Sequence, residues 1–475
     1  MPFHRSGLRF GVSGDWRGEL SPYPALSNAD DRGLKFFVSL GDTIYADYPS
    51  PALPKPQAEN LADYRIKHQE VYSERFGQNT LADLRRSVSI FAMIDDHEVI
   101  NDFAGGAPPS SDLRFDQTGE FINQTTLYRS GLQAFFEYNP IRATYYQLPR
   151  QPRFHRAPDL YRDQIYGKDA ALFILDARSF RDQELPGVQN PLDPAQVAAY
   201  LARSFNVDPV TGNLLPPRTL LGLPQILRLK IGLLAAKHLG VTWKFICVPE
   251  PIQNLGVIGA SDRFEGYAAE RAELLAFIEE HQISNVVFIA ADVHGTLVNN
   301  LTYQQLPEIG PQFPQKPTTA FEITTGAVAF DAPFGPTVFN IAASVLVAPG
   351  VSLLDVFLQR LSLQLGFPVP NRQAFDLLPR PVKDTALVSL IDQQLAPLGY
   401  DPVGLQGSSI NATLIQGGYT SLFTFGWTEF EIDPATQKLV VTTWGIEPYT
   451  AAEIDATLPL RQPAIVSQFA VTPAP

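Results

Sequence analysis

The sequence predicts an α/β protein with strands buried on both faces. Three observations lead there. The strand-like runs are continuously apolar instead of alternating. Helix-patterned segments and long loops separate them, and the chain carries 41 prolines in 475 residues. Several runs end in clusters of Asp, Glu and His, at the position where open α/β sheets hold their ligands.

The apolar runs predict strands over 8–12, 34–40, 88–94, 170–175, 243–248, 285–290 and 319–325. Asp193 caps a helix that Pro194 opens. Residues 224–239 are apolar at helical spacing through Ile226, Leu227, Ile231, Leu234 and Leu239. In a second helix over 266–282, Leu274, Leu275, Phe277 and Ile278 face inward and Glu270, Arg271, Glu279 and Glu280 outward. Residues 331–416 hold short apolar runs between prolines. They predict a helical insertion, read either as a lid or dimer contact or as plain core packing. A C-terminal β-hairpin follows, over 419–432 and 438–445, turning at Asp433-Pro434-Ala435-Thr436. The domain reading is therefore a core over 1–330, completed by 417–475, with 331–416 inserted.

An apolar fraction of 45% is enough for a sizeable core. The net charge of −13 and the lack of a basic tract argue against nucleic acid or an anionic membrane as partner. The single cysteine, Cys247, rules out an intramolecular disulfide and thiolate-rich zinc sites, and reads as a buried small hydrophobe. No apolar run reaches the ~18 residues of a spanning helix. The first residues lack a signal peptide's apolar middle. As it stands, the sequence is expected to be cytoplasmic, or exported if a leader was removed.

The clusters carry the chemistry. Gly41-Asp42-Thr43-Ile44-Tyr45 places a carboxylate and a phenol at the end of the second run. Asp95-Asp96-His97-Glu98 with Asn101-Asp102 ends the third, and Asp292-Val293-His294 follows Val286–Ala290. Hard oxygen ligands and imidazoles together point to a metal centre, and a metal centre to hydrolysis. Asp42 is the candidate bridge between two cations, the alternative being a loop-capping Asp. Tyr45 can bind as a phenolate, which favours a ferric ion. Asp96 and Asn101 offer oxygens. His97 can protonate a leaving oxygen or hold a phosphoryl oxygen. Alternation along the strand end sets Asp292 and His294 on one side. Asp15, after the first run, can complete an ion's shell. Arg178 suits a forked contact with phosphate, the alternative being a salt bridge to Asp176 or Asp182.

These motifs, in this order, resemble those of the PhoD-like alkaline phosphatases in the calcineurin-like metallophosphoesterase superfamily. Gly41–Ala46 is similar to the family's GDYIYE, Asp95–Asp102 to its DDHEVxNN, Leu175–Arg181 to its LDTRxYR, Ala291–Gly295 to its GDVHS, and Glu322–Gly326 to its E-x-T stretch. Tyr128–Glu137 and Pro140-Ile141-Arg142 resemble its AYYE and PxR stretch. The resemblance implies a four-layer αββα sandwich and hydrolysis of phosphomonoesters and phosphodiesters. It implies metal ligation by Asp42, Tyr45, Asp96, Asn101, Asp292 and His294, with His97 and Arg178 near the phosphate. Iron(III) with calcium is the implied cofactor set, manganese or zinc the alternatives. Two departures stand out. The family's first strand ends Ser-Cys, where this chain has Ser13-Gly14-Asp15, so Asp15 is read in place of the thiolate. An Asn-Gln pair is replaced by Val248-Pro249-Glu250-Pro251, with Glu250 as a compensating group.

The expected activity is thus metal-dependent hydrolysis of a small phosphate ester. A phospholipase D-like phosphodiesterase and a non-catalytic metal-binding module are the alternatives. A homo-oligomer is left open.

Overall fold

A computed structural model describes residues 4–474. Among the described residues, sixteen strands form two seven-stranded sheets and a small hairpin, with ten α-helices around them. In the first sheet, β1 (Leu8–Ser13), β2 (Phe36–Ser39) and β3 (Ser89–Ala92) run parallel.

The second sheet is built on four parallel strands. These are β5 (Ala170–Ile174), β6 (Trp243–Cys247), β7 (Val286–Ala290) and β9 (Lys316–Thr324). Strands β4 (Arg162–Tyr166) and β8 (Thr296–Tyr303) join it antiparallel.

Beyond the small hairpin of β10 (Leu346–Ala348) and β11 (Val351–Ser352), the C-terminal strands complete both sheets. Strand β14 (Phe425–Ile432) pairs antiparallel with β1 and with β15 (Leu439–Ile446), and β16 (Ala464–Val471) and β12 (Ala412–Gly417) extend that sheet. Strand β13 (Thr420–Ser421) joins β8.

The sheets face each other across an aromatic core. Phe10 stacks between Phe36 and Phe430, centroids at 4.8 and 4.9 Å, and takes the edge of Phe245 at 4.9 Å. Such pairs add to area burial about 0.5–1.5 kcal/mol each. Helices cover the outer faces. Among those outside the second sheet are α5 (Leu223–His238) and α6 (Ala268–Glu280), and outside the first are α1 (Leu61–Val71), α2 (Thr80–Ser87) and α3 (Thr126–Tyr138). This is the αββα arrangement. The predicted strands lie within a few residues of the observed ones, Cys247 is fully buried, and Asp193 caps α4 (Pro194–Ser204) through the Ala195 and Gln196 amides.

Several side chains depart from the pattern read in sequence. Glu270 and Arg271 of α6 face inward. The Glu270 carboxylate accepts from the Leu220 and Leu221 amides, and Arg271 Nε donates to the Ile252 carbonyl. Loop backbones entering the core leave donors and acceptors that polar side chains of this length reach. On α5 the buried face is Ile226, Leu229, Leu233 and Ala236, while Leu227 and Ile231 are exposed. Strands β4, β8, β12, β13 and β16 carry no continuous apolar run. Strand β8 buries Asn299, whose Nδ2 donates to Gln253 Oε1 and whose Oδ1 accepts from the Gly404 amide at 2.8 Å.

After β9 the chain forms α7 (Phe334–Ser344), the β10–β11 hairpin, α8 (Leu353–Leu365), α9 (Arg372–Asp376) and α10 (Arg380–Leu395), with an apolar cluster of their own around Phe339, Phe375 and Leu387.

His68 on α1 is fully buried, stacked on Tyr138 at 4.8 Å, and neither ring nitrogen has a hydrogen-bond partner. Burial, with help from Arg85, pulls its pKa down to about 3. The folded imidazole is then neutral while the unfolded one protonates near pH 6.5. Stability is full above about pH 6.5 and falls as pH drops from there toward 3, by about 1.4 kcal/mol per unit. His68→Phe keeps the stack and removes the titration. Denaturation at pH 7.5 is expected to separate the two proteins by no more than ~1 kcal/mol. Between pH 6 and 4 the gap should widen steadily in favour of the variant; a gap constant with pH would refute the assignment.

Candidate metal centre

Seven parallel strands from the two sheets carry their carboxyl ends to one end of the sandwich, and each candidate side chain sits in the turn that follows one of them. The backbone there is unusual. Asp15, Asp42, Asp102, Asp292 and His294 all have positive φ, between 49° and 66°. That region costs a non-glycine residue on the order of 1–2 kcal/mol, and such strain concentrates where side chains are aimed for function.

Asp42 is buried, and its Oδ1 accepts from the His97 amide at 3.2 Å. Asp96 accepts from the His97 and Asp102 amides at 2.9 and 2.7 Å. Ligand atoms of Asp42, Asp96 and His97 lie within 4.8 Å of one another; so do those of Asp96, Asp102 and Asp262, and those of Glu250, Asp262 and Asp292. These overlapping triads form one continuous acidic cleft. On its other side, His294 Nε2 lies 3.3 Å from the Tyr45 hydroxyl and 3.6 Å from Asp15 Oδ1. Both Asp15 oxygens and Glu250 Oε2 are buried without a hydrogen-bond partner. Asn101 sits on the same loop, its amide donating to Asp47 Oδ2 at 2.9 Å.

The electrostatics are those of a site built for cations. Burial, reinforced by neighbouring carboxylates, pushes Asp15, Asp42 and Asp292 well above the usual carboxylate range. Burial and Asp42 likewise raise the Tyr45 phenol. Asp96 shifts the other way, because Arg178 and His97 outweigh its burial. Burial and the charge of His97 pull His294 down to about 3, leaving a neutral imidazole fit to coordinate. A buried set of hard oxygens with orphaned lone pairs, a phenol and a neutral imidazole fits one or more metal ions. Fixed cations do not balance it, since the acids outnumber Arg178, Arg181 and His97.

Arg178 is placed differently from its sequence reading. It is fully buried, with Nε donating to Asp95 Oδ1 at 2.6 Å and Nη1 and Nη2 to Asp262 at 2.6 and 2.9 Å. Nη2 also meets Asp96 and Glu250. Asp176 instead accepts from the Arg178 and Ser179 amides at 3.0 and 2.9 Å and shapes the turn. Thus the guanidinium is ringed by carboxylates instead of standing free.

Sequence reasoning named Glu98 and Gly326 within their motifs without giving them a role, and missed Asp47 and Asp262. Glu98 is fully buried, and its carboxylate accepts from the Asp42, Thr43 and Asp95 amides at 3.1, 2.7 and 2.8 Å. It ties two strand ends into one register. Asp47 holds His97 Nδ1 at 2.5 Å. Asp262 belongs to two of the triads and pairs with both buried arginines; it lies on a loop with no strand before it to mark it. Gly326 has φ +101°, and a Cβ there would meet Asp15 Oδ2 at 2.6 Å. A Cβ on Gly14 would lie 2.7 Å from the Ala291 Cβ, so packing bars a side chain at that position.

Fold and cleft together define an αββα sandwich with a buried acidic cleft at the carboxyl ends of its parallel strands. The solved structure described as "Structure of PhoD" aligns over 99% of this chain and 70% of its own, at TM-score 0.60 and 18% identity, which supports the fold. A purple acid phosphatase, PPD1 from yellow lupin seeds, aligns over 99% of this chain and 55% of its own at only 0.42 and 9% identity. The PhoD-like phosphatase family model matches residues 11–344, and the chain belongs to that family. Alkaline phosphatase D of Bacillus subtilis (strain 168) is 28% identical over 303 residues, 59% of this chain; the chain spans 44% of that relative's length. No helix among the described residues is long and apolar enough to cross a membrane.

Proposed function

We propose that this protein hydrolyses phosphate esters with the help of two or more metal ions. The observation that carries the reading is the buried, mutually close set of carboxylates, phenol and imidazole after β1, β2, β3, β6 and β7. Asp15, Asp42, Tyr45, Asp96, Asn101, Asp292 and His294 would hold the ions, with Glu250, Asp262 and Asp102 beside them. When bound, the ions would supply Lewis acidity and lower the pKa of a water. The phenol of Tyr45 favours iron(III) for one position, with calcium for the others.

The chain's own residues do the rest. Glu98 and Arg178 hold the carboxylates in place and cost no reorganisation during reaction. His97 is the proton donor. Burial lowers its pKa, but Asp96, Asp47 and Asp95 outweigh this and raise it to about 9. Asp47 fixes Nδ1, so Nε2 is the atom that delivers a proton to the leaving oxygen. The core over 1–330 and 417–475 would act as the catalytic unit, with 331–416 inserted beside it.

Two measurements test this. Protein purified without chelator should contain stoichiometric metal by mass spectrometry and hydrolyse p-nitrophenyl phosphate or its phenyl diester. Chelation should remove both, and re-addition of iron with calcium should restore both. Metal without hydrolysis of either ester would leave a binding module. His97→Asn should slow esters of poor alkyl leaving groups by about 10²–10⁴-fold, and p-nitrophenyl esters far less. Equal losses on both would remove His97 as the donor.

A further inference from the structure

We infer that the cavity beside the metal centre binds the hydrocarbon chain of an amphiphilic phosphoester. This rests on the phosphoesterase reading above and names its substrate class. The cavity holds about 410 Å³, within the ~300–1,000 Å³ of small-molecule sites. Its walls are Val197 and Leu201 of α4, Val257 and Ile258, and Val338 and Leu390 of α7 and α10.

It adjoins the site through two links. Phe334 lines it and donates its amide to the His294 carbonyl at 2.9 Å. Arg263 lines it next to Asp262 in the chain. Among the described residues that arginine is the one charged wall, and its Nε and Nη2 are taken by Glu265 and by the Gly256 and Ile258 carbonyls. The cavity therefore offers little to a polar ligand and much to an alkyl chain.

The walls from α8 and α10 lie beyond residue 344, outside the family match, while those from α4 and α7 lie within it. Leu353 lines it directly after β11. The adjoining β10–β11 hairpin exposes Leu346, Val347 and Val351 to solvent, an apolar approach that a purely water-soluble substrate does not need.

The test uses the metal-loaded protein. Alkyl phosphonates with one, four, eight and twelve carbons are titrated calorimetrically below their micelle concentrations. The matching alkyl p-nitrophenyl phosphodiesters are assayed for hydrolysis. Affinity and kcat/KM should rise with chain length, by up to roughly fourfold per methylene, and level off when the cavity is full. Ala198→Trp, at the exposed rim, and Val338→Trp, on the half-buried wall, should each abolish the gain while leaving the one-carbon compounds unchanged. Thermal unfolding checks that both variants fold. Hydrolysis that ignores chain length would overturn the inference and leave the phosphoesterase reading intact. A chain-length gain that both variants retain would also overturn it. A gain in binding with no hydrolysis of any ester would uphold the cavity assignment and remove the hydrolase reading.

Discussion

Asp42→Asn is expected to lower kcat about 10³-fold or more, the order seen when one preorganised electrostatic group is removed, and to strip metal in parallel. The substitution is nearly isosteric. Asn Oδ1 can still accept from the His97 amide, as Asp42 does at 3.2 Å, and the Glu98 carboxylate still holds the residue 42 amide. The turn survives; what disappears is one negative charge in a cleft where cations must be offset by shared anions. Metal content by mass spectrometry and turnover should fall together, while the unfolding temperature of the metal-free proteins should stay close. Burial and Asp96 already press the Asp42 carboxyl toward its neutral form, so a neutral amide should even relieve the metal-free protein. An Asp42→Asn protein with full metal and full rate would sink the bridge.

Arg178→Met should cost about 3–5 kcal/mol of stability, the usual price of removing one partner from a buried ion pair. The guanidinium touches Asp95, Asp96, Glu250 and Asp262 at once. Without it, those carboxylates face one another in a buried cleft with Arg181 as the remaining arginine. Against a domain's typical 5–15 kcal/mol, that loss is large. Metal ions should recover part of it, because they replace the missing positive charge. Arg178→Lys keeps the charge but not the fork, and should lie between the two. Equilibrium denaturation with and without metal reads all of these values. A metal-free Arg178→Met protein as stable as the parent would mean that the carboxylates need no such counter-charge.

Much of this was legible in the chain itself. Continuous apolar runs ending in Asp42 and Asp292 announced strands buried on both faces with ligands at their carboxyl ends, because a central parallel strand has no wet face to encode; the run ending in Asp96 is instead the edge strand β3, only partly buried. Strands β8 and β16 escaped notice for the converse reason. Their polar residues pair with partners distant in sequence, such as Asn299 with Gln253, so no local pattern marks them. The outward reading of Glu270 failed similarly, since its partners are loop amides fifty residues away.

By itself the sequence determined which residue types could bind cations and on which strand ends they stand, for those features are local. Only the tertiary structure decided that Arg178 is enclosed by four acids, that Asp262 and Glu98 belong to the site, and that Gly14 admits no side chain beside Ala291. Each of these depends on the distance between segments far apart in the chain, and Coulomb attraction, hydrogen bonding and steric exclusion act on distance in space.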